Sequence, residues 1–295
     1  MAKILSAEYI IGCIRLIRPM QWYKNILIFL PLFFAGFLLE PLSFSLTIFG
    51  FIALSLMSSV NYIINDIADK KEDSRNPEKK TRPVASGIIS EKSALILALL
   101  LFISSLSIGF ILSVPFFLVL VIFFLSTLLY TIWLKDEPFI DVILIAFNFV
   151  LRAISGAFII NVFISGWLIT GTFALALFLA IAKRYSEIKS LGKKAPKHRE
   201  VFKYYTENIL KTMLIISAVI LNLSYFIYTI FSDHRWLILS VPLAIYPIIR
   251  FYNLIELRSE IPRHLELFYK DKRLVTGIIA TGITIFLILY LEMII

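Results

Sequence analysis

Apolar runs of about 18 residues or more recur along this chain, each long enough to cross a hydrocarbon core of roughly 30 Å as an α-helix rising about 1.5 Å per residue. Such runs exclude a water-soluble globule, whose helices carry only one apolar stripe. Composition agrees: of 295 residues 59% are hydrophobic and 17% charged, where soluble domains have about 25% charged. The pattern predicts an all-α polytopic membrane protein with about nine transmembrane helices, near 22–40, 46–64, 92–113, 115–134, 139–160, 165–182, 207–231, 236–253 and 273–293. Pro115 and Pro138 fall at span starts, where a missing backbone donor costs least.

The formal net charge of +9 is explained by its placement. With residue 1 on the cytoplasmic side, segments 65–91, 135–138, 183–206 and 254–272 are cytoplasmic too. Of the 29 Lys and Arg, only Arg152 and Arg235 then lie outside cytoplasmic segments or cytoplasmic span ends. That positive-inside asymmetry orients the chain and sets cations against anionic membrane lipids, so nucleic acid is not needed as a partner. One cysteine and three scattered histidines exclude an internal disulfide and a zinc site. Ile10, Ile14 and Ile17 at helical spacing, among Lys3, Glu8, Arg15 and Arg18, predict an interfacial segment over 1–20. The whole chain, that segment included, reads as one integral membrane domain over 1–295, with 65–91 and 183–206 as its cytoplasmic active-site loops, and a homo-oligomer is compatible with it.

Polar residues inside such spans carry most of the functional information, because an acid or base near lipid is costly without a partner or a wet cavity. At the end of the second span Ser58, Tyr62, Asn65, Asp66, Asp69 and Asp73 fall within a sector of roughly 100° on one helix. Asp66, Asp69 and Asp73 are therefore the candidate catalytic acids, and with Asn65 the candidate Mg²⁺ ligands. Their hard oxygens suit Mg²⁺, which is commonly held by one or two carboxylates plus substrate phosphates. Lys80 and Arg82 follow closely and would complement phosphate that the metal leaves uncovered.

In the fifth span Asp141, Asn148, Arg152 and Ser155 form one narrow polar stripe on an otherwise apolar helix. Arg152 lies about 16 Å along the helix from Asp141 and should face inward. The sixth span ends in Lys183, Arg184 and Glu187, and the fourth in Tyr130 and Lys135. These, with Lys24, complete the candidate substrate-binding set.

The acidic segment Asn65-Asp66-x-x-Asp69-x-x-x-Asp73 resembles the first acidic motif of the UbiA-type intramembrane transferase superfamily. Four further segments point to one branch: Arg18-Pro19-x-Gln21-Trp22-x-Lys24-Asn25, Lys80-x-Arg82-Pro83, Leu151-Arg152-Ala153-Ile154-x-Gly156 and Lys183-Arg184-Tyr185-x-Glu187. In order and spacing they are similar to the decaprenyl-phosphate phosphoribosyltransferases, also called decaprenyl-phosphate ribose-5-phosphate synthases. The resemblance implies a nine-helix bundle with a cytoplasm-facing cavity in the cell membrane. It also implies Mg²⁺ as cofactor, and phosphoribosyl pyrophosphate and a polyprenyl phosphate lipid as substrates. Relatives that use prenyl diphosphates carry a second aspartate-rich motif after the sixth span. Here Lys183, Arg184 and a single Glu187 stand in that place, which suits direct phosphate binding. An aromatic prenyltransferase using a polyprenyl diphosphate and a lipid-phosphate transporter are the alternative readings.

Overall fold

The computed structural model describes residues 7–192 and 200–291. Lys3, Lys193, Lys194, Lys197, His198 and Arg199, which bear on the charge and metal-site readings of the sequence, lie outside that range. Among the described residues the regular elements are all helical: α1 (Ala7–Ile17), α2 (Leu30–Phe34), α3 (Pro41–Ala68), α4 (Lys70–Arg75), α5 (Glu91–Leu112), α6 (Val114–Leu129), α7 (Ile140–Ile160), α8 (Gly166–Leu191), α9 (Glu207–Phe231), α10 (Val241–Glu256) and α11 (Lys272–Leu291). Eight of the described helical segments are long and apolar enough to cross a bilayer. The protein is thus an integral, multi-pass membrane protein.

The first expected span, 22–40, takes another form. Pro19–Phe29 is wound as a tight 3-10 helix and leads into the short α2, with Pro31 in the first turn of α2 and Gly36 in the left-handed region (φ 79°) just beyond it. A 3-10 helix rises about 2.0 Å per residue, so the 11 residues Pro19–Phe29 extend about 22 Å, short of a hydrocarbon core of roughly 30 Å. Two other expectations change at the cytoplasmic ends. Helix α8 runs through Leu191, so Lys183–Glu187 sit on a helix and not in a loop. Likewise α3 continues to Ala68 and α4 resumes at Lys70, so the acidic motif is almost wholly helical. In both places hydropathy falls before the helix ends, because the polar residues of the last turns find partners in the fold.

The chain divides into two compact units, residues 1–135 with 151–163 and residues 136–150 with 164–295. Helix α7 contributes its first half to the second unit and its second half to the first. In the first unit α3 packs against α5, and the Ser105 hydroxyl donates to the Ala53 carbonyl at 2.7 Å. Its core centres on Leu16, Ile28, Met57, Ile63, Phe116 and Leu120. Gly156 of α7 lies against the Ile28 carbonyl, where a Cβ would collide with backbone. The second unit packs α8 on α9 around Phe178, Ile181, Leu210, Leu214 and Ile255.

Candidate active site

The residues that hold the first segment on α3 set up the site. Ser55, Ser58 and Ser59 form a small polar face near the middle of α3. Asn25 donates to the Ser55 hydroxyl at 3.0 Å, Ser58 donates to the Asn25 carbonyl at 3.3 Å, and the Trp22 indole donates to Ser59 at 3.1 Å. The Ser59 hydroxyl also reaches the Ile17 carbonyl at 2.8 Å. Part of the polar stripe read from the sequence therefore clamps helix to helix. The clamp brings Arg18 over the end of α3.

Arg18 adopts the left-handed region, φ 53° and ψ 58°, a conformation that costs a non-glycine residue of order 1 kcal/mol or more. It is held there by an ion pair with Asp66 and by its guanidinium lying over the Tyr62 ring at 5.1 Å. Asp66 is 1% exposed. Its Oδ1 accepts from both Arg18 and Arg82, the latter at 3.1 Å, while its buried Oδ2 has no hydrogen-bond partner among the described residues. Arg82 also donates to Asp73 at 2.6 Å, so one guanidinium bridges two buried carboxylates. The turn that aims it is closed by Arg82 N–H to Lys79 C=O at 2.9 Å and anchored by buried Val84 and Ile89.

Asp69 accepts from Asn65 at 3.0 Å and from Lys135 at 2.8 Å. Lys135 reaches it because α6 widens into a π-helical turn, Tyr130–Leu134, just before it, a distortion often found at functional sites. Every motif aspartate is thus matched by cations of its own chain. Of the residues predicted from sequence, Asn65, Asp66, Asp69, Asp73, Arg82 and Lys135 come together. Lys80 does not: it is exposed, and Lys79 approaches Asp73 instead, at 3.7 Å. Tyr130 is half-buried, and Lys24 lies 5.8 Å from the ring of its neighbour Tyr23.

Arg152 faces inward as expected. It is buried in the first unit, donating to the Asn25 carbonyl oxygen at 2.9 Å and lying 4.6 Å over the Phe123 ring. In the second unit Asp141 is fully buried and accepts from Arg184 at 3.0 Å and from the Tyr205 hydroxyl at 2.7 Å. Arg184 also lies 3.4 Å from Glu187, with Lys183 half-buried beside it. The Tyr205 hydroxyl accepts the Phe139 N–H at 2.7 Å, and its pKa is raised, first by burial and then by the hydrogen bond to Asp141. Tyr205, Arg18 and Asn25 are not among the candidates read from sequence. Arg18 and Asn25 stand inside a quoted segment, but nothing local marks Tyr205.

The acidic end of α3 fits a magnesium ion by the chemistry of its donors. Among the described residues no three acidic, histidine or cysteine side chains form a ready-made cage. A cage is not what Mg²⁺ requires, since one or two carboxylates and substrate phosphates suffice. The unpartnered Oδ2 of Asp66 is a hard oxygen that the chain's own cations leave unused.

Residues 28–268 match the model of the UbiA prenyltransferase family. The chain belongs to that family. It is 30% identical, over 75% of its length and 71% of the relative's, to a decaprenyl-phosphate phosphoribosyltransferase of Mycolicibacterium smegmatis. It is 28% identical, over 77% and 76%, to one of Mycobacterium tuberculosis. Among solved structures it is similar to a UbiA homologue from Archaeoglobus fulgidus bound to GPP and Mg²⁺, with TM-score 0.72 and 19% identity over 95% of this chain and 99% of that one. It also resembles a digeranylgeranylglyceryl phosphate synthase, with TM-score 0.65 and 17% identity over 96% and 99%. These two likenesses concern the fold, and the UbiA family places the chain among transferases.

Proposed function

We propose that the protein transfers a 5-phosphoribosyl group from phosphoribosyl pyrophosphate to a decaprenyl-like polyprenyl phosphate and releases pyrophosphate. The observation that carries the reading is the meeting of three motif aspartates with four cations, Arg18, Lys79, Arg82 and Lys135, at one end of α3. Carboxylates alone would repel a diphosphate and cations alone would not hold a metal. The two sets together match a metal-bound pyrophosphate beside uncovered phosphate. The names of the relatives at 28–30% identity support the same donor and acceptor.

Asp66, Asp69 and Asp73, with Asn65 assisting, would hold Mg²⁺. Bound there, the ion would neutralise the pyrophosphate as it leaves. Arg18 and Arg82 exchange their carboxylates for donor phosphate oxygens, and Lys79 and Lys135 add charge at the same surface. An acceptor phosphate oxygen attacks the anomeric carbon as the bond to pyrophosphate breaks, with inversion, and the electron pair departs on pyrophosphate. The acceptor needs no general base, because a phosphate monoester with a second pKa of about 6 is mostly ionised near neutral pH. Orientation and charge neutralisation are therefore the chain's main catalytic work. Arg152, fixed by Asn25, contributes positive charge from the membrane side. In the second unit Lys183 and Arg184 stand, in sequence, where prenyl-diphosphate enzymes have a second acidic motif, and their charge suits a phosphate. Asp141 and Tyr205 keep Arg184 in one orientation.

The positive-inside pattern supports placing this chemistry at the cytoplasmic face of the cell membrane. Asp66→Asn and Asp69→Asn should each abolish most product, scored as labelled lipid from labelled phosphoribosyl pyrophosphate, while the variants still insert and purify. Turnover at the wild-type rate in both would overturn the assignment of these acids.

A further inference from the structure

Asn61 is a side chain of α3 that neither the helix clamp nor the acidic cluster uses. It is 6% exposed, and its Nδ2 has no hydrogen-bond partner among the described residues. Buried amides are rarely left so, because desolvation without a compensating bond is costly. Asn61, Asn65 and Asp69 form one i, i+4 row of the helix. Asn65 spends its amide on Asp69, which leaves Asn61 as the member of the row with an unused donor. It lies about 4.5 Å along the axis from Ser58, where Asn25 and Arg152 meet, and about 12 Å before Asp69. It is therefore between the buried arginine and the acidic end, about 10 Å inside the end of α3 at Ala68.

At that depth a leucine would pack at lower cost, so the amide is suited to an acceptor brought from outside the chain. A pyrophosphate whose Mg²⁺ Asp66, Asp69 and Asp73 would hold belongs at the end of α3. The group that arrives on the membrane side is the one carried by the lipid. Resting on the phosphoribosyl-transfer reading, we propose that Asn61 donates a hydrogen bond to a phosphate oxygen of the polyprenyl phosphate and so positions the attacking group. The unsatisfied donor is a stability cost of the unliganded protein, relieved when acceptor binds.

The test uses the full chain in detergent and Asn61→Leu, titrated with polyprenyl phosphate in the absence of any donor, with the unphosphorylated polyprenol as control. The variant should bind polyprenyl phosphate about tenfold more weakly, equivalent to about 1.4 kcal/mol, and bind polyprenol unchanged. It should also melt about 2–4 °C higher, because a buried orphan has been replaced by an apolar side chain of similar size. Equal affinity for the phosphate lipid overturns the proposal, as does weakened binding of both lipids with a lowered melting temperature, the mark of a structural role. A raised KM for phosphoribosyl pyrophosphate with lipid affinity unchanged would assign the amide to the donor and overturn it as well. Should Asn61→Leu not fold, Asn61→Ala carries the same comparison. Wild-type protein that binds polyprenyl phosphate in an Asn61-dependent way but transfers no phosphoribose would remove the reading of the reaction and leave the contact standing.

Discussion

Replacing Arg82 by leucine removes the guanidinium that bridges Asp66 at 3.1 Å and Asp73 at 2.6 Å. Both acids are 1% exposed, so neither can turn to water. Stripping a buried ion pair of one partner costs about 3–5 kcal/mol when the other is left alone. Here Asp66 keeps Arg18 and Asp73 keeps Lys79 at 3.7 Å, which lowers the expected loss to about 2–4 kcal/mol, since a hydrogen bond to a charged group contributes about 1.5–3. At about 2–4 °C per kcal/mol the melting temperature should fall by about 4–16 °C. Thermal unfolding in detergent, followed by tryptophan fluorescence, reads the change. The same assay with added Mg²⁺ supplies a second readout. An ion at ten times its Kd stabilises by about 1.4 kcal/mol, and with Arg82 gone it meets less competition for the carboxylates, so Mg²⁺ should raise the variant's melting temperature more than the wild type's. A variant that melts with the wild type would refute the bridging of the acids by Arg82. Equal magnesium shifts would refute the competition between guanidinium and metal.

Tyr205→Phe removes a donor from fully buried Asp141 and an acceptor from the Phe139 N–H; it should cost about 1–3 kcal/mol, read as a lowered melting temperature. Gly156→Ala drives a Cβ into the Ile28 carbonyl, and overpacking against backbone should cost about 1–3 kcal/mol or more, seen as loss of folded yield from detergent. Asp271, at the start of α11, is held below the usual carboxylate range, first by its hydrogen bond from Arg250 at 2.6 Å. Because the folded value is depressed, its stabilisation is present above the unfolded value near 4 and is lost as pH falls through the folded value. Asp271→Asn should therefore flatten the acid limb of a melting-temperature profile, and an unchanged limb would contradict the pairing.

The spans legible in the sequence are those whose apolar runs coincide with uninterrupted helix, such as α5 and α6. The first differs in form, since Pro19, Pro31 and Gly36 convert an apolar run into a 3-10 helix and a short α-helix. The end of α8 is hidden for the opposite reason. Its last turns are charged, yet Arg184 and Tyr185 are buried there against partners on other elements. The acids are visible because three carboxylates share one helical face, a local property. Their cations are only half visible: Arg18 lies 48 residues from Asp66 and Lys135 lies 66 from Asp69, pairings that no helical period encodes. The exchange of Lys80 for Lys79 has the same origin, since the 76–83 turn does not continue the register of α3 and α4.

The identity of the donor separates phosphoribosyl transfer from prenyl transfer, and a competition of donors tests it. Purified protein with Mg²⁺ would be offered labelled phosphoribosyl pyrophosphate with polyprenyl phosphate in one vessel, and a labelled polyprenyl diphosphate with an aromatic acid in another. The proposed transfer predicts phosphoribosylated lipid and one pyrophosphate released per lipid in the first, and no prenylated product in the second. Prenylated aromatic acid with no phosphoribosylated lipid would contradict it.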